Sequence, residues 1–141
     1  MMRIALIGSN AFTKEMREYS ERLKKMGHET EIPYSAEHFI ERKYWDDLKK
    51  EDLEKFIEMK GGINKKYFAL IKNSDAVLVM NFDKGGRKNY IGGNTLMEMA
   101  VAFEHGKKIF VLRELPEDSM FHDELVAMSP IVIHDDLKKI S

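Results

Sequence analysis

An apolar run followed by a glycine-rich loop and an apolar helix constrains the fold of this chain more than any other feature. Residues 75–82 (DAVLVMNF) have the composition of a strand that is buried on both faces. Residues 83–93 contain four glycines and lead directly into residues 94–106, whose pattern is helical. A strand, a loop and a helix N-terminus in this order form the crevice in which α/β proteins hold anionic or sugar-bearing ligands. We therefore expect a ligand site at this loop.

The other apolar runs continue the alternation of strand and helix. Strands are predicted at residues 2–7, 29–34, 75–82, 108–112 and 131–133, with helical patterns between them and no hairpin signal. This pattern predicts an α/β fold, a doubly wound five-stranded parallel sheet of flavodoxin-like or Rossmann-like type with helices on both faces. Pro33 favours an edge position for its strand, because proline cannot donate to a sheet ladder. A chain of 141 residues predicts a single domain, residues 1–141.

A charged segment, at about residues 36–62, interrupts this alternation. Of residues 36–60, 14 of 25 are Asp, Glu, Lys or Arg, with apolar residues interleaved. We predict a helical insertion of one or two amphipathic helices that ends at Gly61-Gly62, followed by a helix capped by Asn64. The insertion is either a solvated surface pair or a lid or dimer element over the crevice, with Tyr44 and Trp45 as ligand or interface contacts.

Composition narrows the class of partner. The net charge of −1 gives no basic footprint for a nucleic-acid polymer. No apolar run approaches the roughly 20 residues that span a bilayer, and no signal-peptide pattern is present, so a cytoplasmic protein is expected. The chain has no cysteine, and its five histidines lack metal-ligand spacing. We expect a small-molecule partner, no metal and no cofactor, and NAD is disfavoured because no dinucleotide fingerprint is present.

Glu98 supports two interpretations. Thr95-Leu96-Met97-Glu98 fits a capping box, in which Thr95 caps the helix and Glu98 reaches back to the cap. Alternatively, Glu98 is a functional carboxylate, because a lone charge in an apolar helix is costly to desolvate unless it is used. The preceding glycines would allow a ligand to approach the backbone. The two roles are compatible.

Four further positions carry weaker signals. Gly8-Ser9-Asn10 follows the first strand and offers backbone N–H groups and a hydroxyl for one phosphate, although a plain turn explains it equally well. Asp83 follows the central strand and is placed to face the crevice. Asp75 begins that strand and is more naturally a turn residue. Asn81 is either a ligand contact or a buried structural amide.

Several of these segments together resemble the nucleoside 2-deoxyribosyltransferase superfamily, which includes the 2′-deoxynucleoside 5′-phosphate N-hydrolases. The resemblance rests on residues 73–75, the strand to Asn81, the loop to Gly93, residues 94–98, and residues 106–109. It implies that Glu98 attacks the anomeric carbon of a sugar, that Gly8 and Ser9 bind a 5′-phosphate, that Asp75 assists at the base, and that the protein forms a homodimer.

The chain departs from the family pattern at two places. Tyr90, Ile91 and Gly92 occupy the region of the transferase aspartate, and Met99-Ala100 stands where the family usually has a glycine. These departures favour hydrolysis over transfer.

Three hypotheses follow for the function. The first is cleavage or transfer at the N-glycosidic bond of a nucleoside or deoxynucleoside 5′-monophosphate, with Glu98 as nucleophile and Asp75 or Asp83 as proton donor. The second is a non-catalytic protein that binds a nucleotide or phospho-sugar, and the third is an FMN carrier. Substrate-binding residues are expected to be Gly8, Ser9, Asn10, Phe12, Asn81, Tyr90, Gly92, Gly93, Asn94 and Thr95.

Overall fold

The sheet has the predicted parallel topology. The computed structural model describes residues 1–141 and contains five parallel strands in the order β2-β1-β3-β4-β5. The strands are β1 (Arg3–Gly8), β2 (Glu29–Glu31), β3 (Ala76–Met80), β4 (Lys108–Val111) and β5 (Ile131–Val132). β2 lies at the edge, as Pro33 indicated. The strand order reverses between β1 and β3, and ligands of such sheets bind beyond the carboxyl ends of the strands at this point.

Helices cover both faces of the sheet, as predicted. They are α1 (Thr13–Lys25), α2 (Tyr34–Glu37), α3 (Arg42–Glu51), α4 (Leu53–Lys72), α5 (Gly93–Glu104) and α6 (His122–Ala127), with 3-10 turns at Asn10–Phe12 and Leu137–Lys139. Ile4 and Leu6 of β1 face a core shared with α1, whereas Ala5 and Ile7 face a second core shared with α4 and α5. None of the helices is long and apolar enough to cross a membrane.

The predicted helix break at Gly61-Gly62 is wrong. α4 runs without interruption from Leu53 to Lys72, so Asn64 lies inside the helix and caps nothing. A glycine inside a helix costs only about 1 kcal/mol relative to alanine. The packing of Tyr67 and Ile71, both buried against the sheet, offsets this cost. The charged insertion is therefore continuous with the helix that covers the sheet.

The predicted capping box is also wrong. α5 begins at Gly93, with Gly92 as its N-cap and no side-chain cap hydrogen bond, so Thr95 lies in the first turn and Glu98 in the second. Gly92 adopts extended backbone geometry and can lead into the helix earlier than the Thr95 pattern suggested. As a result, the first backbone N–H groups of α5 remain free for other partners.

Candidate active site

A cleft of about 430 Å³ lies at the carboxyl ends of β1 and β3. Gly8, Ser9 and Asn10 after β1 form one side, and the start of α5 forms another. Side chains of α3 and α4 complete the lining. The charged insertion therefore lines a cleft of its own chain, which agrees with the lid interpretation of that segment.

The Glu98 carboxyl is the most unusual group in this cleft. It is only 5% exposed and lines the cleft. Burial raises its pKa to about 8, and the nearby Lys60 ammonium opposes that rise. In the unliganded protein at pH 7, most Glu98 side chains are therefore protonated.

Lys60 approaches the cleft from α4. Its ammonium lies 5.0 Å from the centre of the Trp45 ring, and Trp45 is held in place because its Nε1 donates to Ser35 Oγ at 3.0 Å. Burial lowers the pKa of Lys60, while Glu98 raises it and Arg42 lowers it. Lys60 and Glu98 influence each other without forming a direct ion pair.

Tyr67 fixes α4 against the sheet. Its hydroxyl contacts the carbonyl oxygens of Leu6 and Glu31, where β1 and β2 separate. Burial raises the pKa of Tyr67 well above 10, and Glu98 contributes to the same rise. The group therefore remains a hydroxyl donor. Because Lys60 lies two turns earlier on the same helix, this anchor also sets the position of Lys60.

The loop after β1 has the features of an anion site. Ser9 Oγ accepts from Ala11 N at 3.2 Å and from Lys84 Nζ at 3.0 Å. Lys84 has no carboxylate partner, its ammonium lies 4.8 Å from the Tyr90 ring centre, and burial lowers its pKa. A Cβ on Gly8 would lie 2.9 Å from the Met80 carbonyl oxygen, so this position requires glycine.

The rim of the cleft is formed by α3. Arg42 and Asp46 pair through Nε and Oδ1 at 3.1 Å, and Lys49 is exposed nearby. With Lys60 and Lys84, the cationic side chains of the lining outnumber the carboxyl groups of Asp46 and Glu98. This balance favours an anionic ligand.

Most of the predicted site residues line this cleft. Those that do are Gly8, Ser9, Asn10, Tyr90, Gly92, Gly93, Asn94, Thr95 and Glu98. Those that do not are Phe12, Asp75, Asn81 and Asp83. Among the residues predicted as ligand or interface contacts, Trp45 lines the cleft and Tyr44 does not.

Neither aspartate predicted as the proton donor lies in the cleft. Asp75 precedes β3 at its amino end, where its Oδ2 accepts from Arg3 N at 2.7 Å. Asp75 therefore lies at the amino ends of the strands, opposite the cleft. Asp83 is exposed, accepts from Asn89 N at 2.9 Å and lies 3.8 Å from Arg113 Nη1. Its hydrogen bond closes the loop before Tyr90, and its side chain does not line the cleft.

Asn81 and Phe12 have structural roles. Asn81 Nδ2 donates to the carbonyl oxygens of Arg113 at 3.1 Å and Glu114 at 3.0 Å, and its Oδ1 accepts from Arg113 N at 2.9 Å. Of the two roles predicted for Asn81, ligand contact and buried structural amide, the structure supports the second. Phe12 belongs to the core on the α1 side, with its ring 5.4 Å from that of Phe82.

Lys60, Tyr67 and Lys84 were not predicted as site residues. On α4, cleft residues recur at helical spacing through Phe56, Lys60 and Tyr67. This periodicity is visible in the sequence only if the helix is allowed to continue through its two glycines. Lys84 follows Asp83 in a loop, and no pattern distinguishes it from other exposed lysines.

The structure contains no group of three or more His, Asp or Glu side chains that could hold a metal ion.

No protein-family model and no curated protein sequence matches the chain. Among solved structures, the CMP N-glycosidase BcmB of Clostridium botulinum matches with a TM-score of 0.53 and 17% sequence identity, over 97% of this chain and 92% of that protein. At this identity the likeness shows that the two proteins share a fold.

Proposed function

We propose that this protein cleaves the N-glycosidic bond of a nucleoside 5′-monophosphate, by hydrolysis or by transfer of the sugar to a second base. The observation that carries the proposal is the Glu98 carboxyl. It is buried and lines a cleft whose other side carries the Ser9 hydroxyl and the Lys84 ammonium. A buried carboxyl with a strongly raised pKa is costly to keep, and such groups are typical of functional sites.

In the proposed reaction, Glu98 acts as the nucleophile. Its carboxylate attacks C1′ of the sugar, the bond between C1′ and the base nitrogen breaks, and that electron pair leaves with the base. The product is a glycosyl-enzyme, which water or a second base then releases. Attack requires the ionised form of Glu98, which the positive charge of Lys60 stabilises.

The 5′-phosphate is assigned to the loop after β1. Ser9 Oγ and the Lys84 ammonium provide donors there, and Gly8 keeps the backbone open to close approach. The free N–H groups at the start of α5 border the same cleft through Gly93 and Asn94. Helix N-termini and glycine loops of this kind bind phosphate groups.

The shared fold supports this choice of substrate class. The structural neighbour is a CMP N-glycosidase, so CMP is the first substrate to test. The cleft contributes no carboxyl group from the loop that precedes α5, where Tyr90 and Gly92 line the cleft instead. This agrees with the preference for hydrolysis that the sequence suggested.

One observation favours a second candidate, a non-catalytic nucleotide-binding or phospho-sugar-binding protein. Because its pKa is about 8, Glu98 is largely protonated at pH 7 in the unliganded protein. A neutral carboxyl donates a hydrogen bond and is a poor nucleophile. In this alternative, Glu98 binds a sugar hydroxyl and the ligand leaves unchanged.

Chromatographic detection of free base tests the proposal. Purified protein is incubated at pH 8 with CMP and the other common ribo- and deoxyribonucleoside 5′-monophosphates. Wild type is compared with Glu98→Gln and with Glu104→Gln, a matched control because Glu104 is exposed at the end of the same helix. We expect base release by wild type and the control, and none by Glu98→Gln.

The opposite result would identify the binding protein. No base is then released from any nucleotide, while nucleotides still raise the melting temperature of the wild type. Base release by Glu98→Gln at the wild-type rate would exclude Glu98 as the nucleophile.

A further inference from the structure

Glycosidic cleavage of a nucleotide needs a proton as well as a nucleophile. The base leaves with the electron pair of the broken bond, and a proton delivered to its ring makes it a much better leaving group. The two aspartates predicted for this task, Asp75 and Asp83, both lie outside the cleft. The donor must therefore come from another side chain of the lining.

Most proton-bearing side chains of the lining are held elsewhere. Arg42 and Asp46 pair with each other at the rim, and Lys84 is bound to Ser9 on the phosphate side. The Tyr67 hydroxyl is directed at backbone carbonyl groups.

Two further proton-bearing side chains of the lining are Lys49 and Tyr34. Lys49 is exposed at the rim, and the Tyr34 ring is stacked on His38 at 4.2 Å. Tyr90, the remaining phenol of the lining, has its ring 4.8 Å from the Lys84 ammonium on the phosphate side.

Lys60 is the side chain of the lining whose charge acts on Glu98. It lines the cleft from α4, is half-buried, and has no ion-pair partner. Trp45 supports its ammonium at 5.0 Å, and the Tyr67 anchor fixes the helix that carries it. The groups that act on it electrostatically are Glu98 from α5 and Arg42 from α3.

We propose that Lys60 is the general acid of the reaction and donates its proton to the departing base. This inference rests on the proposed function and names a second catalytic residue for the same cleft. It places nucleophile and acid on two neighbouring helices, with Glu98 on α5 and Lys60 on α4.

The proton balance of the two steps closes. In the first step, Glu98 forms a bond to C1′, the bond from C1′ to the base breaks, and one proton moves from the Lys60 ammonium to the base. In the second step, water attacks C1′, the bond to Glu98 breaks, and the proton lost by water returns to the neutral Lys60 amine. The net reaction consumes one nucleotide and one water and yields the free base and the sugar 5-phosphate.

Electrostatics support this role. Burial lowers the pKa of Lys60 from its ordinary value, which makes the ammonium a stronger acid. The neighbouring Glu98 carboxylate opposes this lowering.

Two substrates and two substitutions separate this role from a purely structural one. The first substrate is CMP, or whichever nucleotide the wild type cleaves best. The second is 4-nitrophenyl ribofuranoside 5-phosphate, whose leaving group departs as a stable anion and needs no proton. Lys60→Met removes the proton and keeps much of the apolar stem, whereas Lys60→Arg keeps the positive charge but cannot release a proton at these pH values.

Lys66→Met on the exposed side of α4 is the matched control, and far-ultraviolet circular dichroism checks the folding of each variant. We expect both Lys60 variants to lose about 10²- to 10⁴-fold in kcat/KM on the nucleotide. On the nitrophenyl substrate, Lys60→Arg should stay close to wild type, while Glu98→Gln should lose activity on both substrates.

Two outcomes would overturn the assignment while leaving the proposed function intact. The first is an equal loss on both substrates in Lys60→Arg, and the second is retention of nucleotide cleavage by Lys60→Arg. Failure of the proposed function has a different pattern, because the wild type would then release no leaving group from either substrate.

Discussion

The burial of Glu98 should make the stability of this protein depend on pH in a defined direction. The folded-state pKa of Glu98 is about 8, above its ordinary value of 4.5. Below pH 4.5 the side chain is neutral in both the folded and unfolded states. Between the two values the unfolded state ionises and the folded state does not, so the free energy of unfolding falls as pH rises.

The magnitude follows from the difference between the two pKa values. Each pH unit between them costs about 1.4 kcal/mol of folding free energy. The loss therefore reaches about 3 kcal/mol at pH 7 and about 5 kcal/mol above pH 8. Glu98→Gln removes the ionisable group and keeps the shape of the side chain. We expect this variant to equal wild type near pH 4 and to exceed its stability by about 3 kcal/mol at pH 7.

Urea unfolding followed by circular dichroism measures this difference at pH values from 4 to 9. Glu104→Gln serves as the control, because it makes the same substitution at an exposed position of the same helix. Wild-type and Glu98→Gln stability curves that run parallel across this range would contradict the prediction. A Glu98→Gln variant that is less stable than wild type at pH 7 would also contradict it, because the folded state would then favour the ionised carboxylate.

Three other outcomes are expected. The kcat/KM for nucleotide cleavage should rise up to about pH 8 as Glu98 ionises, and it should fall at higher pH as Lys60 loses its proton. A kcat/KM that instead falls through pH 8 would assign Glu98 as the acid. Gly61→Ala and Gly62→Ala should each stabilise the protein by about 1 kcal/mol in urea unfolding, because both positions are helical and nothing lies within 4 Å of an added Cβ. Asn81→Leu should lower the free energy of unfolding by roughly 2–4 kcal/mol, since it leaves three partly buried backbone groups after β4 without their partner. The nucleotide affinity of the folded protein should be unchanged.

The sheet was predictable from the sequence because central parallel strands are buried on both faces. In β3 all residues from Ala76 to Met80 are buried, and the corresponding apolar run is visible without any structure. The edge strand is shorter and more polar, and Pro33 marked its position for a local reason. These signals depend on neighbouring residues alone, which is why they can be read from the sequence.

The ends of two helices could not be predicted, because packing between distant segments determines them. The glycines in α4 predict a helix end, but Tyr67 and Ile71 pack on the sheet and keep the helix continuous. The Thr95 pattern predicts the start of α5, but the helix begins at Gly93 without a side-chain cap. Each local signal was worth about 1 kcal/mol, which tertiary packing readily exceeds.

The candidate site was predicted in part for the same reason. The residues that follow β1 and those that begin α5 come from the two strands at the reversal point, so topology alone brings them to one cleft. The residue pattern placed Asp75 correctly at the start of β3, and only the family resemblance gave it a role at the base. Lys60 was not predicted because the supposed helix end at Gly61-Gly62 separated it from Tyr67, which lines the cleft from the same helix.

The insertion changes the chemistry of the cleft as well as its shape. A carboxyl in the second turn of α5 would be solvated if the crevice were open, and its pKa would then stay near the ordinary value. Here α3 and α4 close over it, and the same two helices bring Arg42 and Lys60 to the lining. Burial raises the pKa of Glu98, and Lys60 lowers it again. The covering helices thus desolvate the proposed nucleophile and also supply the charge that stabilises its reactive form, so residues of the insertion belong to the proposed catalytic apparatus.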